Sequence, residues 1–382
     1  MRRFRPGVVA AALAAVLAAA VLAACSSSST PGTSASTTGS GKQVTVGVAL
    51  TYNDTAFWAA YLNYEGQYAS QLHVKILGPQ LAGTNASLQN TQIENLVNEG
   101  AQAIIVNPET ATSLGPAISY ASAHHVQLIS VDTIVGVGHV YMVVRASNTI
   151  YGLDACAYIS SQVKSGYVLD LEGDLTSSNG IDRTNAFDAC MAANDPNVHL
   201  LKDPTVWVES TAVSDAETAV AAYGSSLKAI YSQWSSPDIG VIPLLAQKHL
   251  TGKVLMVSDD GVPFEMCDIS KGSLSASQSQ PANLYAYWAL KYAIDAADGV
   301  TLKAGDTGGG APTLQTLSFA GDSNLGDPIV APFVTKASQT LTVTPVDGLS
   351  GSVTTTSVTD SSLWGNVYGT SHGGVCSSAN AG

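Results

Sequence analysis

Residues 44–58, VTVGVALTYNDTAFW, place an apolar strand, a short polar loop and the start of a helix in one unit, and that unit recurs down the chain. Val44, Val46, Val48 and Leu50 are separated only by small residues, as in a strand covered on both faces. Tyr52, Asn53, Asp54 and Thr55 then supply loop and N-cap chemistry. Phe57 and Trp58 therefore fall in the first helical turn, above the carboxyl end of the strand, where open α/β sheets bind ligands. Trp58, Tyr61, Leu62, Glu65, Tyr68, Ala69 and Leu72 recur at helical spacing, so a plain core role for both aromatics stays open.

The alternation continues. Residues 74–77 read as a second strand, and Asn85 caps a helix that Gly100 ends. Residues 103–106 form a third strand that stops at Asn107-Pro108. A helix over about 112–124 leads to a fourth strand, 126–131, closing on Asp132. After a strand at 141–144 the rhythm restarts with a helix at 148–164, a strand at 167–171, a helix at 182–193 and strands at 227–231 and 253–257. Such succession predicts an α/β fold with parallel sheets and right-handed crossovers, and 382 residues suit two lobes. They join near Ala146, without a close repeat at residue level.

Hydrophobic residues make up 46% of the chain and charged residues 12%, enough apolar material for a sizeable core. The formal charge is −13, and it becomes −16 without the first 24 residues, whose only charges are Arg2, Arg3 and Arg5. An acidic surface argues against nucleic acid or anionic lipid as a partner. Those arginines precede an Ala/Leu/Val run over 8–23 that is short for a membrane span and reads as a cleaved export signal. Its end, Leu22-Ala23-Ala24-Cys25, resembles the lipobox of bacterial lipoproteins, in which the Cys is acylated. Residues 26–41 form a Ser/Thr/Gly tether with nothing to bury. As a flexible linker it reaches about 20 Å from an anchored Cys25.

Five segments carry a family resemblance: IIVNP (104–108), LISVD (128–132), RASN (145–148), Arg183 four before Phe187, and VSDDG (257–261). In order and spacing they resemble the ribose-type sugar-binding proteins of bacterial ABC importers, in the type I periplasmic binding proteins. The resemblance spans roughly 44–336. It implies two doubly wound parallel-sheet lobes, joined by a three-crossing hinge, that close over a monosaccharide. It further implies ligand contacts at Thr55, Phe57, Trp58, Asn107, Asp132, Arg183, Trp207 and Asp260. Chemistry is consistent with these positions. Asp132 and Asp260 end apolar strands and can accept several hydroxyl bonds, Arg183 offers a planar fork of donors, and Trp58 and Trp207 offer flat apolar faces to a sugar ring. The expected domains are a signal at 1–24, a tether at 25–42, a first lobe at 43–146 plus about 280–318, a second at 147–279 plus about 328–340, and an unassigned extension at 341–382.

Departures from the family pattern leave the sugar open. Thr133 stands where ribose binders carry an Arg after the strand-end Asp, and Trp234-Ser235 follows Gln233 where an Asn-Asp pair is usual. Trp234 thus adds a stacking surface. The late cleft amide falls on Gln278 or Gln280, with Gln280 taken as the ligand contact. With Cys25 set aside, Cys156, Cys190, Cys267 and Cys376 allow three pairings. Cys156 with Cys190 and Cys267 with Cys376 is the expected set, free buried thiols the alternative. No spacing indicates a metal site and no cofactor is expected. Gly348-Leu349-Ser350-Gly351-Ser352 lacks the last Gly of a nucleophile elbow, and Gly136-Val137-Gly138 lacks the third glycine of a dinucleotide loop, so no enzyme is expected. The expected function is an extracytoplasmic, lipid-anchored, monomeric binder that captures a small neutral sugar or polyol and hands it to an ABC permease. The alternatives are a receptor presenting ligand to a membrane sensor and a cell-surface lipoprotein hydrolase. A transcription regulator is disfavoured by the export signal.

Overall fold

The computed structural model describes residues 43–380, so the expected signal, tether and lipid site at Cys25 lie outside the described residues. The first lobe runs through β1 (Thr45–Leu50), α1 (Ala56–Gln71), β2 (Lys75–Leu81), α2 (Ala86–Asn98), β3 (Ala103–Val106), α3 (Gly115–Ala123), β4 (Gln127–Val131) and β5 (Met142–Ala146). The second follows as α4 (Asn148–Gln162), β6 (Gly166–Glu172), α5 (Ser178–Asn194), β7 (Val198–Pro204), α6 (Glu209–Tyr223), β8 (Leu227–Ser232), α7 (Asp238–Gln247), β9 (Leu255–Asp259), α8 (Pro263–Lys271) and β10 (Ala276–Gln278). The chain then returns to the first lobe as α9 (Ala282–Ala297), β11 (Gln315–Phe319) and β12 (Asp322–Ile329). It ends on the second with β13 (Phe333–Thr335), β14 (Thr340–Thr342), β15 (Ser352–Thr354), β16 (Thr356–Ser357) and α10 (Trp364–Ser371).

Each lobe holds a seven-stranded sheet, ordered β11-β12-β5-β4-β3-β1-β2 and β16-β13-β10-β9-β8-β6-β7. Pairing is parallel except at β11–β12 and β10–β13. The apolar runs explain this arrangement. β3 is buried throughout and β1 nearly so, because helices cover both faces of the sheet. α1 and α9 pack on one face, α2 and α3 on the other. In the second lobe α4 and α5 oppose α6, α7 and α8. The order reverses between β1 and β3 and between β6 and β8, which opens a crevice at the carboxyl edge of each sheet. The chain crosses between lobes after Ala146, Gln278 and Ile329, so the architecture is two doubly wound lobes on a three-crossing hinge.

Two local expectations change. The helix expected at 182–193 starts earlier, with Ser177 as the N-cap of α5 and its hydroxyl accepting from Asn179 N at 3.3 Å. The first-lobe sheet also runs past 318, since β12 pairs with β5 as far as Ile329, and Gly326 and Pro328 within it hide the strand signal. Both expected disulfides are present: Cys156–Cys190 ties α4 to α5, and Cys267–Cys376 ties α8 to the end of the extension. Leu341, Val343, Leu349 and Val353 of the extension join the second-lobe core.

Candidate functional site

Apolar strands end at the carboxyl edge of each sheet, so the first polar residue after each strand faces the space between the lobes. In the first lobe these are Thr51 after β1, Asn107 after β3 and Asp132 after β4. Asn107 holds the three strand ends together. Its Oδ1 accepts from Thr51 Oγ1 at 2.5 Å, and its Nδ2 donates to Val131 O at 3.3 Å and Thr133 Oγ1 at 3.2 Å. Thr55 caps α1 by accepting from Trp58 N at 3.2 Å, which brings Phe57 and Trp58 to the cavity wall. Both rings are also core, edge-on to one another at 5.1 Å.

From the second lobe Arg183 reaches in from α5. It is 3% exposed, and its Nε donates to Asn148 Oδ1 at 2.5 Å, its Nη2 to Gln280 Oε1 at 3.1 Å and its Nη1 to the Gln233 carbonyl. Nη1 also lies 3.5 Å from Asp259 Oδ2, and the guanidinium sits over the rings of Tyr151 and Trp207. Trp207 fits because Gly173, at the end of β6, has no side chain; a Cβ there would fall 2.1 Å from the indole. Trp207 has φ +59°, so the left-handed backbone after β7 turns this ring inward. Trp234 meets it edge-on at 5.3 Å. Asp260, also left-handed at φ +105°, accepts from Ser235 N and Oγ at 3.0 and 2.7 Å.

The lobes are closed on one another. Asp132 of the first lobe accepts from Asn179 Nδ2 of the second at 2.6 Å, and Arg145 pairs with Asp182 at 3.1 Å, while Gln280 Nε2, just past the second crossing, donates to Asp132 at 3.1 Å. A cavity of about 250 Å³ remains between them. That is below the roughly 300–1,000 Å³ of drug-sized sites and suits a compact solute. Thr55, Phe57, Trp58, Asn107, Asp132, Arg183, Trp207, Trp234, Asp260 and Gln280 all line it. Gln278 does not, since its amide donates to Ala331 O at 2.6 Å beside the third crossing.

Burial sets the electrostatics. It raises the Asp132 carboxyl above its ordinary pKa, against the pull of Arg183 and Arg145. Asp260 is pushed up to about 6 and Asp259 to about 7 by the same burial, again opposed by Arg183. For Arg183 burial works against the charge, yet Asp259, Tyr231, Tyr151 and Asp260 outweigh it and its pKa rises. Glu109 is raised to about 7 by burial and by Asp174. Each Asp132 oxygen accepts one protein bond and keeps capacity for a hydroxyl donor. Arg183 is the one cationic side chain among the described residues at the cavity, facing Asp54, Glu109, Asp132, Glu209 and Asp260.

Sequence reasoning did not select Tyr52, Glu109, Asn179 or Ser236, which also line the cavity. Asn179 was the one with a readable signal, because Ser177 is a good N-cap and a helix starting there brings Asn179 to the strand-end Asp. Among the described residues no cluster of three or more His, Cys, Asp or Glu is placed to hold a metal ion.

Comparison with known proteins bears on family and fold. The profile of the periplasmic binding protein domain matches residues 46–301. A xylitol-binding protein of Mycolicibacterium smegmatis is 24% identical over 200 residues, 52% of this chain and 57% of that protein. A ribose import binding protein of Haemophilus influenzae is 25% identical over 243 residues, 63% of this chain and 82% of its own length. Among solved structures, a Caulobacter myo-inositol binding protein with bound myo-inositol superposes with a TM-score of 0.66 at 21% identity, covering 78% of this chain and 94% of that one. Its likeness is one of fold.

Proposed function

Since the chain belongs to the periplasmic binding protein family, whose matched members bind sugars and polyols for import, we propose that it captures a small neutral sugar or polyol by hinge closure and delivers it to an ABC permease. The observation that carries this reading is the convergence of Asp132 from one lobe with Arg183 and Asp260 from the other on a small cavity walled by Trp58, Trp207 and Trp234. Carboxylates accept from vicinal hydroxyls, the guanidinium donates to ring and hydroxyl oxygens, and the indoles cover the C–H faces of a ring. The charge balance favours a neutral solute. An anion would meet Asp132 and Asp260 in the dry interior with Arg183 already paired to Asp259. Ligand contacts from both lobes then favour the closed state, whose surface the permease reads. The cycle ends with the ligand unchanged.

A thermal-shift screen across pentoses, hexoses, polyols, nucleosides, amino acids, sugar phosphates and dicarboxylates tests the reading, because a ligand in excess of its Kd raises apparent stability. Neutral polyols are expected to stabilise. Binding of sugar phosphates or dicarboxylates with none of neutral sugars would reject it. The same proposal places the chain at the extracytoplasmic face of the cell membrane through an acylated Cys25, on the lipobox-like sequence alone. Cys25→Ser is then expected to lose the lipid label and leave the membrane fraction, and unchanged fractionation would remove the anchor.

A further inference from the structure

The C-terminal extension touches both lobes. It is fastened to the second by the pairing of β16 with β13, by the Cys267–Cys376 bridge and by the seating of α10 on α8. The seat is close because Gly365 has no Cβ; one there would fall 2.2 Å from the Gly261 carbonyl oxygen. From that base two rings point at α1 of the first lobe. Trp364 lies edge-on to Phe57 at 6.1 Å, and Tyr368 lies 5.6 Å from Tyr64. The Trp364 indole Nε1 also donates to the backbone carbonyl of Asp260 at 3.1 Å. The backbone N–H of Gln280 donates to that same oxygen at 3.0 Å, so two bonds fix the left-handed peptide from which the Asp260 carboxylate projects. Trp364 is 2% exposed, in an apolar cluster that includes Val262 and Phe264 of the second lobe and Phe57, Trp58 and Tyr64 of the first. One indole thus stands behind two walls of the cavity that belong to different lobes.

We propose that the extension is a latch for cleft closure, with Trp364 as a positioning residue of the ligand site and Tyr368 as its outer contact; only the ligand half of this proposal rests on the sugar-binding reading. α1 moves with the first lobe and α10 with the second, so hinge opening separates Trp364 from Phe57 and Tyr368 from Tyr64. Contacts made only in the closed state raise its population before any ligand arrives, and apparent affinity scales with that population. The Asp260 bond adds a second effect, because it sets the direction of a carboxylate at the cavity.

The test measures the distance between fluorophores placed at exposed Ser87 of α2 and Ser214 of α6, in the full chain with both disulfides intact. Without ligand, Trp364→Ala and Tyr368→Ala are expected to raise the open fraction. With a neutral polyol that binds the wild type, Tyr368→Ala should weaken affinity by about three- to tenfold, the scale of one aromatic pair. Trp364→Ala should weaken it by more than tenfold, mainly through faster release. Trp364→Phe keeps the ring against Phe57 and loses the bond to Asp260, so it should restore closure more fully than affinity. Tyr368 is half-buried at the rim of the fold, and its variant decides the matter if Trp364→Ala does not fold. An unchanged open fraction in folded Tyr368→Ala overturns the latch. If no polyol binds the wild type while the variants still open, the latch stands and the sugar reading falls.

Discussion

Arg183→Met removes the charge at the centre of the cavity while keeping most of the side-chain volume. Affinity loses a charge-assisted bond worth roughly 1.5–3 kcal/mol, about a tenfold to 150-fold rise in Kd. Stability changes too, because Arg183 and Asp259 are buried, at 3% and 1% side-chain exposure, and 3.5 Å apart. Removing one partner of a buried pair costs about 3–5 kcal/mol. For a lobe-sized cooperative unit that is a fall in Tm of roughly 6–20 °C. The loss has a signature in pH. Asp259 has a pKa of about 7, so at pH 8 it is charged and needs Arg183, whereas at pH 5 it holds a proton with or without that partner. The gap between variant and wild type should therefore narrow on acidification. Arg183→Met/Asp259→Asn should recover Tm at pH 8 without recovering affinity. Calorimetric titration and melting curves at both pH values read all of this. Wild-type affinity in Arg183→Met would remove the guanidinium from the ligand shell, and a Tm deficit equal at pH 5 and 8 would refute the buried-pair argument.

Unliganded stability should fall as pH rises from about 5 to 8. Glu65 at about 8, Asp154 and Asp259 at about 7 and Asp260 at about 6 all bind protons more tightly folded than unfolded, so each stabilises below its unfolded pKa and loses that contribution through its folded one. The shift of Asp259 alone is on the order of 4 kcal/mol, and a Tm that is flat or rises over this range would contradict the assignment. Gly173→Ala should weaken ligand binding about as much as Trp207→Ala, near tenfold, since its Cβ displaces the indole; titration showing wild-type affinity in Gly173→Ala would mean that the ring position does not matter. Gly152→Ala should destabilise by about 1–3 kcal/mol, although alanine favours an isolated helix, because its Cβ would lie 2.2 Å from the Arg183 carbonyl and force α4 from α5. A denaturant midpoint at or above that of the wild type would refute that close packing.

The alternation of apolar runs with capped helices determined the two-lobed parallel architecture from the sequence alone, because a strand buried on both faces has few other ways to be covered. Asn107, Asp132 and Asp260 came from the family resemblance, and the strand pattern supported them because polar residues at strand ends emerge at the carboxyl edge. Arg183 and Trp207 also came from the family resemblance and Trp234 from a departure from it, and the geometry that turns them inward was not legible locally. Trp207 depends on a left-handed backbone and on the absent side chain of Gly173, two positions that meet only when β6 and β7 pair. Spacing did not settle between Gln278 and Gln280, although Gln280 was taken; in the fold β10 ends between them, which puts Gln280 at the cavity and leaves Gln278 in the strand. Asn179 had only the N-cap signal of Ser177, and Ser-Ser-Asn-Gly reads equally well as a loop until a helix is packed behind it. The extension shows the limit most plainly. Its Thr/Val/Ser pattern signals strands, but the bond from Trp364 to Asp260 joins residues 104 apart, and contacts at that separation follow from how the lobes and the Cys267–Cys376 bridge fold the chain back, not from any local periodicity.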